Sequence, residues 1–242
     1  AKEVDLKRDN ANVDGDTAMG TMLQYGSTLA KEFAKSYQMQ KRFAEAHDSG
    51  LIHIHDMDFL PMGTTTCCQI DLNDLFKDGF STGHGHLRCP NDIMSYSALA
   101  AIAIQSNQND QHGGQSIPAF DYFMAPGVLK PFKKQFKQML YDYLELDGFL
   151  GLVKFDNIVK QIDKLTSIEF DFSEFSDYYA NSDILERIIK MAYDKALSKT
   201  DRITYQAMEA FIHNLNTMHS SAGAQVPFSS INFGTDTSNE GR

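Results

Sequence analysis

The sequence predicts a mostly helical α/β protein that carries only part of its sheet. Three observations lead there. Long stretches place apolar residues at helical spacing. Two short segments, 62–72 and 226–234, read as core strands. Long helical inserts separate those strands.

Each element follows from its local residues. Residues 17–46 carry Met19, Met22, Leu23, Tyr25, Leu29, Phe33 and Tyr37 at mostly helical spacing, so one long helix is expected. Asp14, Asp16 and Thr17 are the residue types that cap its start, and Gly50 suits its end. LIHIHDMDF (51–59) alternates apolar and polar residues in its first half, an extended or strand signature. MGTTTCCQIDL (62–72) reads as a buried strand. FSTGHGHLRCP (80–90) is a glycine-punctuated loop. A helix is expected over 92–107, where 98–104 is nearly all apolar, so the helix should be packed on more than one side. NQNDQHGGQSIP interrupts the pattern and reads as a loop, and Pro126 and Pro131 read as breaks in the mixed segment after it. Helices are then expected at 133–144, 184–197 and 202–218, with the acidic, aromatic stretch 171–179 as a loop. A short strand follows between Pro227 and Gly234.

Composition narrows the functional classes. The chain has 22 Lys+Arg against 32 Asp+Glu, a net charge of −10, which disfavours a broad nucleic-acid surface. A phosphate-bearing ligand would need local cations. The three cysteines, Cys67, Cys68 and Cys89, are too few and odd in number for a secreted disulfide framework, and they point to a reducing, cytoplasmic compartment. The first residues lack the apolar core of a signal peptide, and no apolar stretch reaches the ~20 residues of a membrane span. The chain starts without Met and stops after SNEGR, so a piece of a longer protein is expected.

Five constellations carry possible chemistry. His53 and His55 would share one face of a strand, beside Asp56 and Asp58. Such a pair can hold a substrate or, with Asp58, a metal; it can equally be a pair of hydrogen-bonded histidines on an edge strand. Cys67 and Cys68 would face opposite sides of a strand, one as an active thiol and one packed, or both as small apolar residues. Gly83-His84-Gly85-His86 leads to Arg88, which can meet a phosphate or simply follow a flexible turn. His112-Gly113-Gly114-Gln115-Ser116 lacks the Lys-Ser/Thr of a P-loop, leaving backbone anion binding or a plain loop. Ser229, Ser230 and Asn232 lie where strand-end side chains reach a substrate or merely close a core strand.

The ordered string of IHIHDMDF, CCQIDL, LFKDGFSTGHGHLRCPNDI, AIAIQSNQNDQHGGQSIPAFDYFMAPGV and GAQVPFSSINFGT, with NANVDGDTAMG near the start, resembles the catalytic subunit of anaerobic (class III) ribonucleoside-triphosphate reductases. The match covers nearly the whole chain in order. The resemblance implies a partial ten-stranded β/α barrel of the glycyl-radical enzyme type, with residues 1–242 as an N-terminal part of it and 92–107 as a dimer and effector helix. It implies reduction of ribonucleoside triphosphates through a glycyl radical. A separate iron–sulfur activase installs that radical with S-adenosylmethionine, and formate or a thiol protein supplies the electrons.

By the same resemblance, Cys67 is the strand cysteine that gives a hydrogen atom to the substrate. His53 and His55 position the ribose or stabilise leaving water. Thr66, Ser229, Ser230 and Asn232 line the substrate. Part of the family has asparagine where Thr66 stands. Arg88, Asn91 and Lys134 fall where a deoxynucleoside triphosphate or ATP effector binds at a homodimer interface, and some relatives carry Lys at the position of Asn91. The radical cysteine, the radical glycine, a structural four-cysteine zinc site and an N-terminal ATP-cone are expected outside this chain, which alone should be inert. Two other readings stand beside this one. One is a non-catalytic nucleotide-binding dimerisation module. The other is a metal-dependent hydrolase using His53, His55 and Asp58.

Overall fold

A computed structural model describes residues 17–179, 182–217 and 228–242. The expected caps Asp14 and Asp16 lie outside the described residues, as does the C-terminal end, at residue 218, of the third expected helix. The protein is mixed α/β and mostly helical, as its spacing predicts. It divides into two compact units. One comprises Ala1–Ile70, Ile102–Ser116 and Asn214–Ser230; the other comprises Asp71–Ala101, Ile117–His213 and Ile231–Arg242.

The elements run as α1 (Ala18–Phe33), α2 (Lys41–Asp48), β1 (Thr65–Gln69), α3 (Leu72–Asp78), β2 (Phe80–Ser81), β3 (His86–Leu87), α4 (Ile93–Asn107), β4 (Gln111–Ile117), α5 (Phe120–Met124), α6 (Pro126–Leu146), α7 (Phe155–Lys164), α8 (Ser176–Tyr179), α9 (Asp183–Thr217) and β5 (Ser229–Ile231). The main sheet has the order β1-β4-β5, with β1 and β4 parallel; β2 and β3 form a separate antiparallel pair. These strands form no closed barrel among the described residues.

In the first unit, Thr17 caps α1: its Oγ1 accepts from the Gly20 N–H at 3.0 Å. The helix loosens into a π turn at Ala34–Gln38 and stops at Met39, whose backbone is extended. The single helix expected over 17–46 is therefore two helices. Gly50, at φ +76°, takes the chain out of α2 in a conformation that favours glycine. The segment 51–59 is not the expected strand; it turns at residues 55–56 and forms a 3₁₀ turn, Met57–Phe59. β1 forms within the expected strand, but four of its five residues are exposed, so it is not a buried strand.

The second unit holds the larger apolar core. Phe132, Phe136, Leu140 and Leu144 recur every fourth residue on one face of α6 and are fully buried. They meet Ile158 and Ile162 of α7, Phe175, and Ile188, Ile189, Ala192 and Ala196 of α9. Pro126 opens α6 at its first position, where its missing N–H costs nothing, so it starts a helix rather than breaking one. Pro131 is buried inside the same helix, so it breaks nothing either. Gly127 lets α6 lie close to α4, since a Cβ there would come within 2.9 Å of the Tyr96 ring. The expected loop 171–179 folds instead as a 3₁₀ turn, Phe172–Phe175, followed by α8. Residues 184–217 form one continuous helix rather than two.

α4 carries its apolar run as predicted. Asp92 caps it, its Oδ1 accepting from the Ser95 N–H at 2.9 Å. Ile93, Ser97, Ala100, Ala101, Ala103 and Ile104 are buried, while Met94 and Ala98 stay exposed. No helix among the described residues is long and apolar enough to cross a membrane.

Candidate active site

The HGGQS segment, read from sequence as a loop, is the central strand of the sheet, because β1 pairs with it on one side and β5 on the other. The pairing slips in its middle. Thr66 faces His112 and Cys68 faces Gln115, so Gly113 and Gly114 together oppose the single residue Cys67. This is a β-bulge, with the extra residue on β4. Gly113 has φ +82° and Cys67 has φ +49°, a left-handed conformation uncommon for a residue with a side chain.

The bulge sets the thiol. Cys67 is exposed and free, and the Thr66 hydroxyl donates to its sulfur at 3.5 Å. That hydrogen bond and one from the Gly114 backbone hold the thiol below its ordinary pKa, against a small upward push from burial and from the Asp56 charge. Cys68 belongs to a different network. Asn107 Nδ2 donates to its sulfur at 2.9 Å and to Gln115 Oε1 at 2.8 Å, while Gln115 Nε2 donates to the Ile104 carbonyl at 2.9 Å. One cysteine is thus presented and its neighbour is tied down.

The histidines cluster without a strand to carry them. The rings of His53 and His55 lie 5.8 Å apart, and His47 lies 5.7 Å from His53. His47 Nδ1 accepts from the Ile54 N–H at 3.2 Å, which fixes the start of this segment. The Asp56 carboxylate sits 3.4 Å from His55 Nε2 and 3.5 Å from His112 Nε2. Asp58 does not join a metal set with His53 and His55. Its Oδ2 accepts from Ser27 Oγ at 2.6 Å and its Oδ1 lies 4.0 Å from Lys31 Nζ. Among the described residues, no group of three or more His, Cys, Asp or Glu is placed to hold a metal ion.

The remaining predicted residues divide between the units. Ser229 and Ser230 lie on β5, in the same unit as Cys67; Asn232 belongs to the other unit. β5 is held to β4 by the Gln115 N–H donating to the Phe228 carbonyl at 3.0 Å. Gly114 leaves room for the Phe228 ring, which would stand 3.1 Å from a Cβ at that position. In the second unit, Arg88, Asn91 and Lys134 are all exposed. Lys130, one helical turn before Lys134 on α6, donates to Asn91 Oδ1 at 2.8 Å. Sequence reasoning missed Lys130, although its spacing from Lys134 on an amphipathic helix was the available signal. It also missed Asn107, and it read Gln115 only as part of the HGGQS segment; nothing but the fold joins the two beside Cys68.

Fold and site together define an α/β protein that presents a cysteine thiol from a bulged parallel strand pair, beside a histidine–carboxylate cluster. Comparison with known families narrows this class. The family described as anaerobic ribonucleoside-triphosphate reductase matches residues 9–242, and the chain belongs to that family. Among individual proteins, it is 27% identical to the anaerobic ribonucleoside-triphosphate reductase of Escherichia coli over 238 residues, 98% of this chain and 27% of that protein. It is 26% identical to the enzyme of the same name from Enterobacteria phage T4 over 234 residues, 96% of this chain and 31% of the relative. The Salmonella typhimurium enzyme is 25% identical over 238 residues. The chain spans less than a third of the length of these relatives.

Proposed function

We propose that this chain is an N-terminal part of an enzyme that reduces ribonucleoside triphosphates to deoxyribonucleoside triphosphates anaerobically in the cytoplasm. The observation that carries the reading is Cys67, an exposed thiol set on a glycine-relieved bulge with two hydrogen-bond donors on its sulfur. In this reading a glycyl radical, installed by an iron–sulfur activase with S-adenosylmethionine, supplies the unpaired electron. That radical and a structural zinc site are assigned to residues outside this chain; its three cysteines are too few for a four-cysteine site.

Cys67 gives up the hydrogen of its S–H to a carbon of the substrate ribose. The carbon that receives it carries the unpaired electron, so the S–H bond breaks, a C–H bond forms, and the thiyl radical left on sulfur is returned to S–H by a hydrogen atom from formate, which goes on to carbon dioxide, or from a thiol protein, which goes on to disulfide. A thiol suits this step because its hydrogen is easily given and its sulfur accepts only weak hydrogen bonds, so Thr66 and Gly114 orient it without locking it. His53 and His55 lie beside one another in the same unit and serve as donors to the 2′ oxygen as it leaves. Thr66, Ser229 and Ser230, which lie in that unit too, contribute polar groups to the substrate. Arg88, Asn91 and Lys134 are exposed, Lys130 is bonded to Asn91, and we assign these groups to the phosphates of a nucleotide effector, which an otherwise acidic protein must hold with local cations. Met94 and Ala98, exposed one turn apart on α4, are the side chains we assign to contact with a second copy in a homodimer.

The test is C67S in the full-length parent enzyme, activated anaerobically. Deoxynucleotide formation should fall by roughly three orders of magnitude or more, the scale on which residues acting as a catalytic unit are lost. Turnover at the wild-type rate in C67S would overturn the reading.

A further inference from the structure

His112 belongs to the HGGQS motif, yet the proposed function gives it no role. Its side chain is only 12% exposed, while that of His55 is 82% exposed. The His112 ring is gripped on three sides. It stacks on Phe59 at a centroid distance of 4.3 Å with the planes within 8°. Its Nδ1 lies 2.6 Å from Thr64 Oγ1. Its Nε2 lies 3.5 Å from Asp56 Oδ2, and the same carboxylate oxygen lies 3.4 Å from His55 Nε2. One oxygen therefore faces both imidazoles.

The protonation pattern follows from the chemistry of the partners. An ionised carboxylate only accepts hydrogen bonds, so it favours an N–H on Nε2 of each ring. We assign that tautomer to His112, which leaves Nδ1 free to accept from the Thr64 hydroxyl. Asp56 holds a left-handed backbone at φ +47°, ψ +40°, a conformation that costs energy for a residue with a side chain although aspartate tolerates it better than most. That backbone turn aims the carboxylate between the two rings. The inner ring is largely enclosed and contacted at both nitrogens and on one face, the carboxylate is half-buried, and the outer ring is in solvent. Order passes outward from the sheet.

We propose that His112 is a positioning residue, which fixes the Asp56 carboxylate and through it the exposed imidazole of His55. This rests on the reading above that His55 works at the site. His112 faces Thr66 across the β1–β4 pair, so the device is built on the same two strands as the Cys67 thiol.

The test uses the full-length parent enzyme and steady-state kinetics with a ribonucleoside triphosphate. H112F keeps the stack on Phe59 but removes both ring nitrogens. H112Q restores an amide N–H near the position of Nε2. H112F should lower kcat roughly 10-fold or more while KM stays within about 3-fold, the signature of a misplaced group rather than lost binding. H112Q should recover most of that loss, which a merely structural role would not predict. In a D56N or an H55Q background, H112F should cost less than about 2-fold more, because coupled residues are not additive. Wild-type kcat in H112F, or a full additive loss in the D56N background, would overturn the proposal. Wild-type kcat in H55Q would instead remove the role of His55, and the two failures are thereby distinguished.

Discussion

Gly113 packs against Cys67 across a bulged parallel strand pair, and a methyl group placed on it would come within 3.1 Å of the Cys67 sulfur and 3.2 Å of Thr66 Oγ1. The bulge thus does two jobs with one residue type. It tolerates φ +82°, and it leaves the volume that the thiol occupies.

Replacing Gly113 by alanine should therefore destabilise the protein by about 1–3 kcal/mol, from the left-handed backbone and the contact with sulfur together. The Cys67 thiol should also be displaced. Thermal melting reads the first effect and peptide-resolved alkylation of Cys67 the second. An unchanged melt with unchanged alkylation would show that the bulge does not constrain the thiol.

The Cys67 thiol ionises below its ordinary 9.0, chiefly because the Thr66 hydroxyl and then the Gly114 N–H bond to the sulfur. At neutral pH it should be alkylated faster than Cys89, whose thiol is also exposed and donates to the Lys77 carbonyl. T66V should move the Cys67 alkylation midpoint upward. Folding therefore favours the charged sulfur relative to the unfolded chain. Its contribution to stability is accordingly present in full above pH 9.0 and is lost as pH falls through the lowered value.

Asp121 ties the end of the described chain to α5. Its carboxylate accepts from the N–H groups of Gly234 at 2.6 Å, Thr235 at 3.0 Å and Asp236 at 3.0 Å, and from the Thr235 hydroxyl at 3.1 Å. Burial pushes this carboxyl up, but the hydrogen bonds, led by those from Asp236 and Gly234, outweigh it and hold the group down at about 2. D121N should cost about 1–3 kcal/mol, the range for hydrogen bonds to a charged group. In the wild type this contribution is complete above the ordinary 3.8 and disappears as pH falls toward about 2. Denaturant unfolding at pH 5 and at pH 2.5 should differ less in D121N than in the wild type.

Phe136 has no exposed surface, and its ring lies 5.7 Å from Phe132, 6.0 Å from Phe170 and 6.1 Å from both Phe175 and Tyr193. F136A should cost about 3–5 kcal/mol, since the helices around it cannot all close on the vacated space. Chemical denaturation measures this directly. A cost under about 1 kcal/mol would mean that the cluster relaxes far more than close-packed cores do.

Lys130 and Lys134 stand one turn apart on α6, with Asn91 held by the first. If this patch grips effector phosphates, the double change to alanine should weaken deoxynucleotide binding roughly 10-fold or more, from the loss of charge-assisted hydrogen bonds. Calorimetric titration with a deoxynucleoside triphosphate measures it. Undiminished affinity would place the effector elsewhere.

The sequence by itself determined the helical majority and where most helices lie, because a period of 3.6 is written into residues such as Phe132, Phe136, Leu140 and Leu144. It determined the short strands around Cys67 and Ser229–Ile231, the apolar character of α4, and, through ordered motifs, the family. Tertiary structure decided what local pattern does not encode. HGGQS has no apolar alternation and looks like a loop, yet pairing with β1 and β5 satisfies its backbone and makes it the central strand. The alternation in IHIHD looks like a strand, yet those residues find no strand partner and turn instead. Pro126 reads as a break until the helix it starts is seen. The meeting of Asp56 with His55 and His112, of Asn107 with Cys68, and of Gly113 with Cys67 joins residues up to 56 positions apart. Such contacts are fixed by strand register and helix packing, and register is a property of the paired strands together, not of either strand's own residues.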